Sequence, residues 1–187
     1  MLKRAVDIAL SGAALAVAGL PLLALMAVVR LTSPGPALHW SERVGRDNRM
    51  FGMPKLRTMR QGAPQLATHL FSDAEDWTTP IGRLLRDTSL DELPQLLSVL
   101  KGDMSLVGPR PALFNQDDLV ALRTEAGVHR LRPGLTGWAQ VNGRDALSLE
   151  EKVRFDAEYL RRRSLGFDLQ IMLATAVQLL PRRLRPR

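Results

Sequence analysis

The sequence predicts a mostly helical α+β fold, in which an apolar N-terminal membrane helix precedes a small domain outside the membrane. Residues 8–29 carry no charged side chain, and no other stretch of the chain is comparable. Apolar residues recur at helical spacing in later segments, whereas short apolar pieces lie between basic residues at 37–59, as in short strands. A chain of 187 residues accommodates one such domain with an appended segment.

The composition excludes several classes of site. The chain has no cysteine, which rules out disulfide scaffolds and thiolate chemistry. Its three histidines are scattered, which argues against a zinc site or a histidine-based triad. The formal net charge of +7 is concentrated in the arginines of the last six residues, and aromatic residues make up only 5% of the chain. Both observations argue against nucleic acid as a partner.

The apolar N-terminal run has the length of a membrane helix. Residues 8–29 would extend about 33 Å, close to the hydrocarbon thickness of a bilayer. Lys3 and Arg4 precede the run and Arg30 follows it, so the positive-inside rule selects no outer end. Pro21 lies near the middle and favours a kink. Two interpretations stay open here: a kinked helix that spans the bilayer, and a re-entrant helix that leaves by the face it entered. A signal peptide is disfavoured, because its apolar region is shorter, about 7–15 residues.

The order of segments predicts three regions. A turn rich in proline and glycine closes a membrane anchor at 1–36, and a domain outside the membrane occupies 37–164. The last region, 165–187, combines an apolar helix with a basic tail. It lies along the bilayer surface, or its helix belongs to the core and its tail is disordered.

Within the domain, the pattern predicts short strands or irregular structure, then a loop, then helices. The strands fall at 37–59, a mobile loop with a short helical piece at 61–80, and the helices at 91–101, 115–126 and 149–163. Gly102 follows the first of these helices and predicts its end.

A polar run from Arg86 to Gln95 is the first candidate for chemistry. Ser89 with Glu92 three residues later fits a capping box, which is purely structural. Pro94 instead favours Asp91 as the N-cap, because the proline then falls in the first turn, where no donor is needed. Asp91 would lie at the positive end of the helix dipole, stay ionised at neutral pH and face an anionic, metal-bound ligand.

Several cations surround this run in the sequence. Arg110 is flanked by prolines and a glycine, which fix its loop and suit its guanidinium to bidentate phosphate binding. Arg86 is a second candidate, and Lys55 and Arg57 are weaker ones. Of the 26 cationic residues, 22 are arginine, and the alternative explanation of this abundance is the base composition of the genome. Two acids beside fixed cations suit a diphosphate bridged by Mg²⁺.

A third unusual run extends from residue 132 to 144. Its three glycines and one proline predict a bent backbone that approaches another group closely. Trp138, Gln140 and Asn142 are candidates for reading a base or a sugar. The alternative is a surface hairpin, favoured by the Asn142-Gly143 turn signal.

Taken together, these runs resemble the bacterial sugar transferase family, also called the monotopic phosphoglycosyl transferases, over nearly the whole chain. The matching residues begin with Lys3-Arg4, Asp7 and Pro21 in the anchor. The longer matching strings are Lys55-x-Arg57-Thr58-Met59, Ser89-Leu90-Asp91-Glu92-Leu93-Pro94-Gln95, Lys101-Gly102-Asp103-Met104-Ser105-Leu106-Val107-Gly108-Pro109-Arg110-Pro111 and Arg132-Pro133-Gly134-x-Thr136-Gly137.

The resemblance implies a minimal membrane enzyme whose catalytic domain lies on the cytoplasmic face of the bacterial inner (plasma) membrane. Such an enzyme transfers a sugar 1-phosphate from a UDP-sugar to polyprenyl (undecaprenyl) phosphate, releases the nucleoside monophosphate, requires Mg²⁺ and initiates glycan assembly. The resemblance also implies a re-entrant helix, broken in the family at a Ser-Pro pair that is Leu20-Pro21 here. A homodimer is left open.

The resemblance further implies roles for single residues. Asp91 is the nucleophile that carries the phospho-sugar covalently, and Glu92 helps to hold Mg²⁺ with it or positions the acceptor. Arg86 and Arg110 bind phosphates, with Lys55 and Arg57 as weaker candidates. A competing hypothesis is a non-enzymatic peripheral protein that binds anionic lipid through 165–187.

Overall fold

The computed structural model describes residues 2–64 and 77–179, which form a mixed helical and sheet structure that is 59% helical. The helices in this described part are α1 (Leu2–Thr32), α2 (Gly82–Asp87), α3 (Gln95–Lys101), α4 (Asp117–Glu125), α5 (Trp138–Val141), α6 (Leu149–Arg162) and α7 (Leu165–Leu179). Its strands are β1 (Leu38–Val44), β2 (Met50–Leu56), β3 (Ser105–Val107), β4 (Ala112–Leu113) and β5 (Gly134–Thr136). These bounds confirm the strands predicted at 37–59 and the helices predicted at 115–126 and 149–163.

Helix α1 is long and apolar enough to cross a membrane by length and composition, and no other helix of the described residues passes that test. It runs without interruption from Leu2 to Thr32, with Pro21 inside it. Pro21, where a break is predicted, therefore does not interrupt the helix, because a proline removes only one backbone hydrogen-bond donor. Its buried side chains are Asp7, Ser11, Leu22 and Val29.

Two small sheets form the rest of the scaffold. The first has the order β2-β1-β4, and its strands pair antiparallel. The second pairs β3 with β5 in parallel, Ser105 opposite Gly134. The backbones meet so closely there that a Cβ on Gly134 would lie 2.1 Å from the Gly108 nitrogen. The hairpin interpretation of 132–144 is therefore wrong, since this segment pairs with a distant strand and continues into α5.

The anchor and the last helix both pack against the domain. Leu22 and Val29 of α1 share a core cluster with Leu56 of β2 and Leu85 of α2. Helix α7 contributes Phe167 and Ile171 to a second cluster, which includes Val107, Leu131 and Tyr159. The opposite face of α7 exposes leucines at helical spacing, Leu165, Leu169 and Leu173. The helix predicted at 165–180 is confirmed over Leu165–Leu179, and the basic tail lies outside the described residues.

The polar run before α3 folds differently from the prediction. Residues Leu90–Glu92 form a single 3₁₀ turn, and α3 begins only at Gln95 with Pro94 as its N-cap. Ser89 adopts a left-handed conformation (φ 57°) and makes no capping hydrogen bond, so both predicted caps, Ser89 and Asp91, are wrong. The early turn carries the chain into Pro94, whose missing donor then falls where a helix needs none. Gly102 ends α3 at φ 103°, as predicted.

Candidate active site

A cavity of about 800 Å³ opens between the β1–β2 hairpin, the Leu90–Glu92 turn and the loop after β3. Its lining includes the cationic side chains Arg43, Lys55, Arg86 and Arg110 and the acidic side chains Asp91 and Glu92. These cations outnumber the acids, which indicates an anionic ligand. Asp91, Glu92, Arg86, Arg110 and Lys55 are thus brought together as the sequence predicted.

Glu92 links the two cations nearest to it. Its Oε1 accepts from Lys55 Nζ at 3.1 Å and from Arg110 Nη2 at 2.8 Å. Burial alone would raise the pKa of Glu92, but Arg110 and Lys55 outweigh it and lower the pKa to about 2. Glu92 is therefore an anion at neutral pH that holds Lys55 and Arg110 side by side.

Asp91 differs from its neighbour in both burial and contacts. The residue is only 8% exposed, and within residues 2–64 and 77–179 its carboxylate accepts no hydrogen bond. Burial raises the pKa of Asp91, although Lys55 acts to lower it. A buried carboxylate without donors is incompletely compensated, so it favours a bound cation or an electrophile. Ionisation of Asp91 at neutral pH stays a prediction.

The loop that carries Arg110 is held from behind by a buried ion pair. Arg123 on α4 donates from Nη1 to the Arg110 carbonyl oxygen at 2.8 Å. Its Nε and Nη2 donate to Asp156 Oδ2 on α6, at 3.0 and 2.7 Å. Sequence reasoning missed this pair, because residues 33 positions apart in two helices give no local signal.

The two remaining predicted phosphate ligands have different surroundings. Arg86 lines the cavity and donates from Nε to Thr58 Oγ1 at 3.0 Å. Arg57 also lines the cavity, but its Nη1 donates to the Pro34 carbonyl, and its Nη2 donates to the Ser33 carbonyl and hydroxyl at 2.7 and 2.8 Å. Its terminal nitrogens hold the turn after α1, so the geometry favours an anchoring role for Arg57 over the predicted phosphate contact.

Strand β1 adds cavity residues that sequence reasoning did not select. His39, Ser41 and Arg43 alternate along the strand and all face the cavity. Arg43 donates from Nε to Ser41 Oγ at 3.0 Å and from Nη1 to the Pro111 carbonyl at 3.3 Å. Burial and the neighbouring Arg110 lower the pKa of Arg43 to about 10. The period-two spacing of 39, 41 and 43 was the available signal.

The three residues predicted to read a base or a sugar lie in different surroundings. Trp138 packs edge-to-face on Phe167, with ring centroids 5.0 Å apart, and so belongs to the core. Asn142 donates its side-chain amide to the Trp138 carbonyl at 2.7 Å. Only Gln140 of the three lines the cavity.

The acidic pair fits a magnesium ion that is shared with a substrate. The described residues contain no group of three or more histidines, aspartates or glutamates that could hold a metal ion by themselves. Mg²⁺ is commonly held by one or two carboxylates, with substrate phosphates and water completing its shell. The adjacent residues Asp91 and Glu92 meet this requirement, and Asp91 accepts no hydrogen bond from the residues that the structure describes.

Comparison with known proteins gives a consistent family. The family model described as bacterial sugar transferase matches residues 1–182. The chain is 41% identical to "Uncharacterized sugar transferase EpsL" of Bacillus subtilis, covering 96% of this chain and 88% of the relative. It is 43% identical to the UDP-glucose:undecaprenyl-phosphate glucose-1-phosphate transferase of Caulobacter vibrioides, covering 95% and 69%. The protein of the same name from Escherichia coli is 37% identical, and the chain spans only 39% of its length.

The acidic pair, the cations around it and the apolar anchor thus lie within a match that covers nearly all of the sequence. The chain belongs to the bacterial sugar transferase family, and it is a phosphoglycosyl transferase.

Proposed function

We propose that this enzyme transfers a sugar 1-phosphate from a UDP-sugar to undecaprenyl phosphate and thereby initiates glycan assembly. The observation on which this proposal rests is the Asp91 carboxylate. It lies buried in the wall of a cationic cavity and accepts no hydrogen bond from residues 2–64 and 77–179. The names of the Caulobacter and Escherichia relatives support the donor and acceptor. The excess of cations in the cavity suits a diphosphate followed by a lipid phosphate.

The proposed reaction has two displacements at one phosphorus atom. An Asp91 carboxylate oxygen attacks the β-phosphorus of the donor, and the bond to the bridging oxygen breaks, so that UMP leaves with that electron pair. An oxygen of undecaprenyl phosphate then attacks the same phosphorus and restores the Asp91 carboxylate. One site can thereby serve a soluble donor and a lipid acceptor in turn. Arg110, Lys55 and Arg86 stabilise the charge on the transferring phosphoryl group.

Asp91 and Glu92 would hold Mg²⁺ together with the donor phosphates, and the ion would supply additional charge neutralisation. Glu92 also keeps Lys55 and Arg110 beside each other, because its Oε1 accepts a hydrogen bond from both.

A re-entrant anchor is part of the proposal. Arg4 near the start of α1 bonds to α3, and Val29 near its end packs in the cluster with Leu56 and Leu85. In a straight helix these two positions are about 37 Å apart. A spanning helix would separate them by the bilayer, whereas a re-entrant one keeps both beside one domain. The exposed leucines of α7 support an interfacial position for that helix, and the arginine-rich domain suits the cytoplasmic face.

The variant Asp91→Asn tests the proposed function. With a panel of UDP-sugars and undecaprenyl phosphate in detergent, we expect wild type to release UMP and Asp91→Asn to release none, with unchanged membrane association. Asp87→Asn, on an exposed neighbour of the same charge, is the matched control and keeps its activity. Full activity of Asp91→Asn would refute the proposal, and normal lipid binding by a chain that is inactive in every form would support the peripheral-protein alternative. Formation of a homodimer stays a prediction, which a measurement of the molar mass by light scattering would test.

A further inference from the structure

The first two turns of α1 make polar contacts that membrane anchoring does not require. Arg4 donates from Nη1 to the Val99 carbonyl at 2.5 Å and from Nη2 to the Leu100 carbonyl at 2.7 Å. Asp7 accepts from Ser105 Oγ at 2.9 Å and from the Leu106 backbone nitrogen at 3.2 Å. These contacts join the anchor to two elements that lie almost a hundred residues further along the chain.

The two elements carry opposite halves of the active site. Val99 and Leu100 belong to α3, which follows directly on the turn with Asp91 and Glu92. Ser105 and Leu106 belong to β3, which leads within three residues of its end to Arg110. The halves meet across the cavity where Arg110 Nη2 contacts Glu92 Oε1 at 2.8 Å.

The chemistry of these contacts sets position rather than affinity for lipid. Asp7 is only 3% exposed, and a buried carboxylate is costly unless it is fully hydrogen-bonded in one geometry. Arg4 bonds to carbonyls at the C-terminal end of α3, where a cation is favoured by the helix dipole. An otherwise apolar helix could rotate or slide against the domain, whereas these directional bonds allow one register.

We propose that Arg4 and Asp7 are positioning residues, which use the first two turns of α1 to fix the distance between the Asp91–Glu92 turn and the Arg110 loop. The anchor is thereby part of the active-site scaffold as well as a membrane attachment. The consequence for turnover rests on the proposed function, whereas the consequence for the geometry does not.

The activity test uses Asp7→Asn and Arg4→Gln in the full chain, with Arg30→Gln as a matched control. Arg30 lies at the other end of the same helix and donates to the Gly35 carbonyl at 2.7 Å. This contact involves neither α3 nor β3. We expect kcat for UMP release to fall 10- to 100-fold in the first two variants, with KM for the donor within threefold. Arg4→Lys recovers part of the loss, and Arg30→Gln matches wild type. Unchanged kcat in Asp7→Asn and Arg4→Gln would overturn the proposal.

A distance measurement decides the same point without any turnover. Because the chain has no cysteine, Leu97→Cys at an exposed position of α3 and Phe114→Cys at an exposed position beyond the Arg110 loop accept one spin label each. We expect double electron–electron resonance to give a narrow distance distribution in the labelled parent and with Arg30→Gln, and a shifted or broadened one with Asp7→Asn and Arg4→Gln. Identical distributions in all four would overturn the positioning role. A wild-type chain without turnover would count against the proposed function alone.

Discussion

Substitutions in the buried pair Arg123–Asp156 should separate the stability of the fold from turnover. Asp156 is 1% exposed and its carboxylate accepts two hydrogen bonds from Arg123, at 3.0 and 2.7 Å. The variant Arg123→Met leaves this carboxylate buried without its partner, which costs about 3–5 kcal/mol. For a chain of this size, that loss lowers Tm by roughly 6–20 °C.

The double variant Arg123→Met/Asp156→Leu removes the ion pair as a whole. Burial raises the pKa of Asp156 despite Arg123, which indicates that desolvation of the carboxylate outweighs the attraction. We therefore expect the double variant to recover the lost stability and to unfold at or above the wild-type Tm.

Turnover should not recover with stability, because both variants lose the hydrogen bond from Arg123 Nη1 to the Arg110 carbonyl. We expect both to release UMP at least tenfold more slowly than wild type, since the Arg110 loop is then less firmly held. The assays are tryptophan fluorescence on heating and UMP release by the detergent-solubilised chain. A double variant as unstable as the single one, or one that regains full activity, would refute the reasoning.

Four further predictions follow from the site and the anchor. Glu92 has a folded pKa of about 2, below its ordinary 4.5, so the stability it contributes is present above pH 4.5 and is lost as the pH falls toward 2; acid unfolding of Glu92→Gln should lack this component, and an unchanged acid profile would contradict it. Chelation with EDTA should abolish UMP release and excess Mg²⁺ should restore it, whereas activity that survives chelation would remove the metal from the proposal. Arg57→Gln should lower Tm while leaving the donor KM within threefold, and Arg86→Gln should raise that KM at least tenfold; the reverse pattern would return Arg57 to the phosphate site. Leu169→Asp on the exposed face of α7 should weaken vesicle binding of the chain without lowering Tm, and binding equal to wild type would argue against an interfacial α7.

Local patterns in the sequence were sufficient to predict most of the helices and five of the charged residues that line the cavity. Helical spacing located α4, α6 and α7, and the clustering of acids with cations selected Asp91, Glu92, Lys55, Arg86 and Arg110. These features depend on residues that are close in sequence, where propensity and spacing act directly.

Contacts between distant segments were beyond the sequence. The parallel pairing of β3 with β5 turned an expected hairpin into a strand followed by a helix. The start of α3 moved to Gln95 because the chain forms a 3₁₀ turn before Pro94. Arg57 lines the cavity, but its terminal nitrogens bond to the turn after α1, since a single-sequence pattern does not show which carbonyls a folded turn leaves available.

The central claim is the covalent attachment of a phospho-sugar to Asp91, and mass spectrometry tests it most directly. The full chain is incubated with a UDP-sugar and Mg²⁺ in the absence of lipid, quenched rapidly and digested. We predict that the peptide containing Asp91 gains the mass of one sugar phosphate, and that added undecaprenyl phosphate removes the adduct as the lipid product forms. An unmodified peptide from a preparation that still forms the product when lipid is supplied would contradict the account.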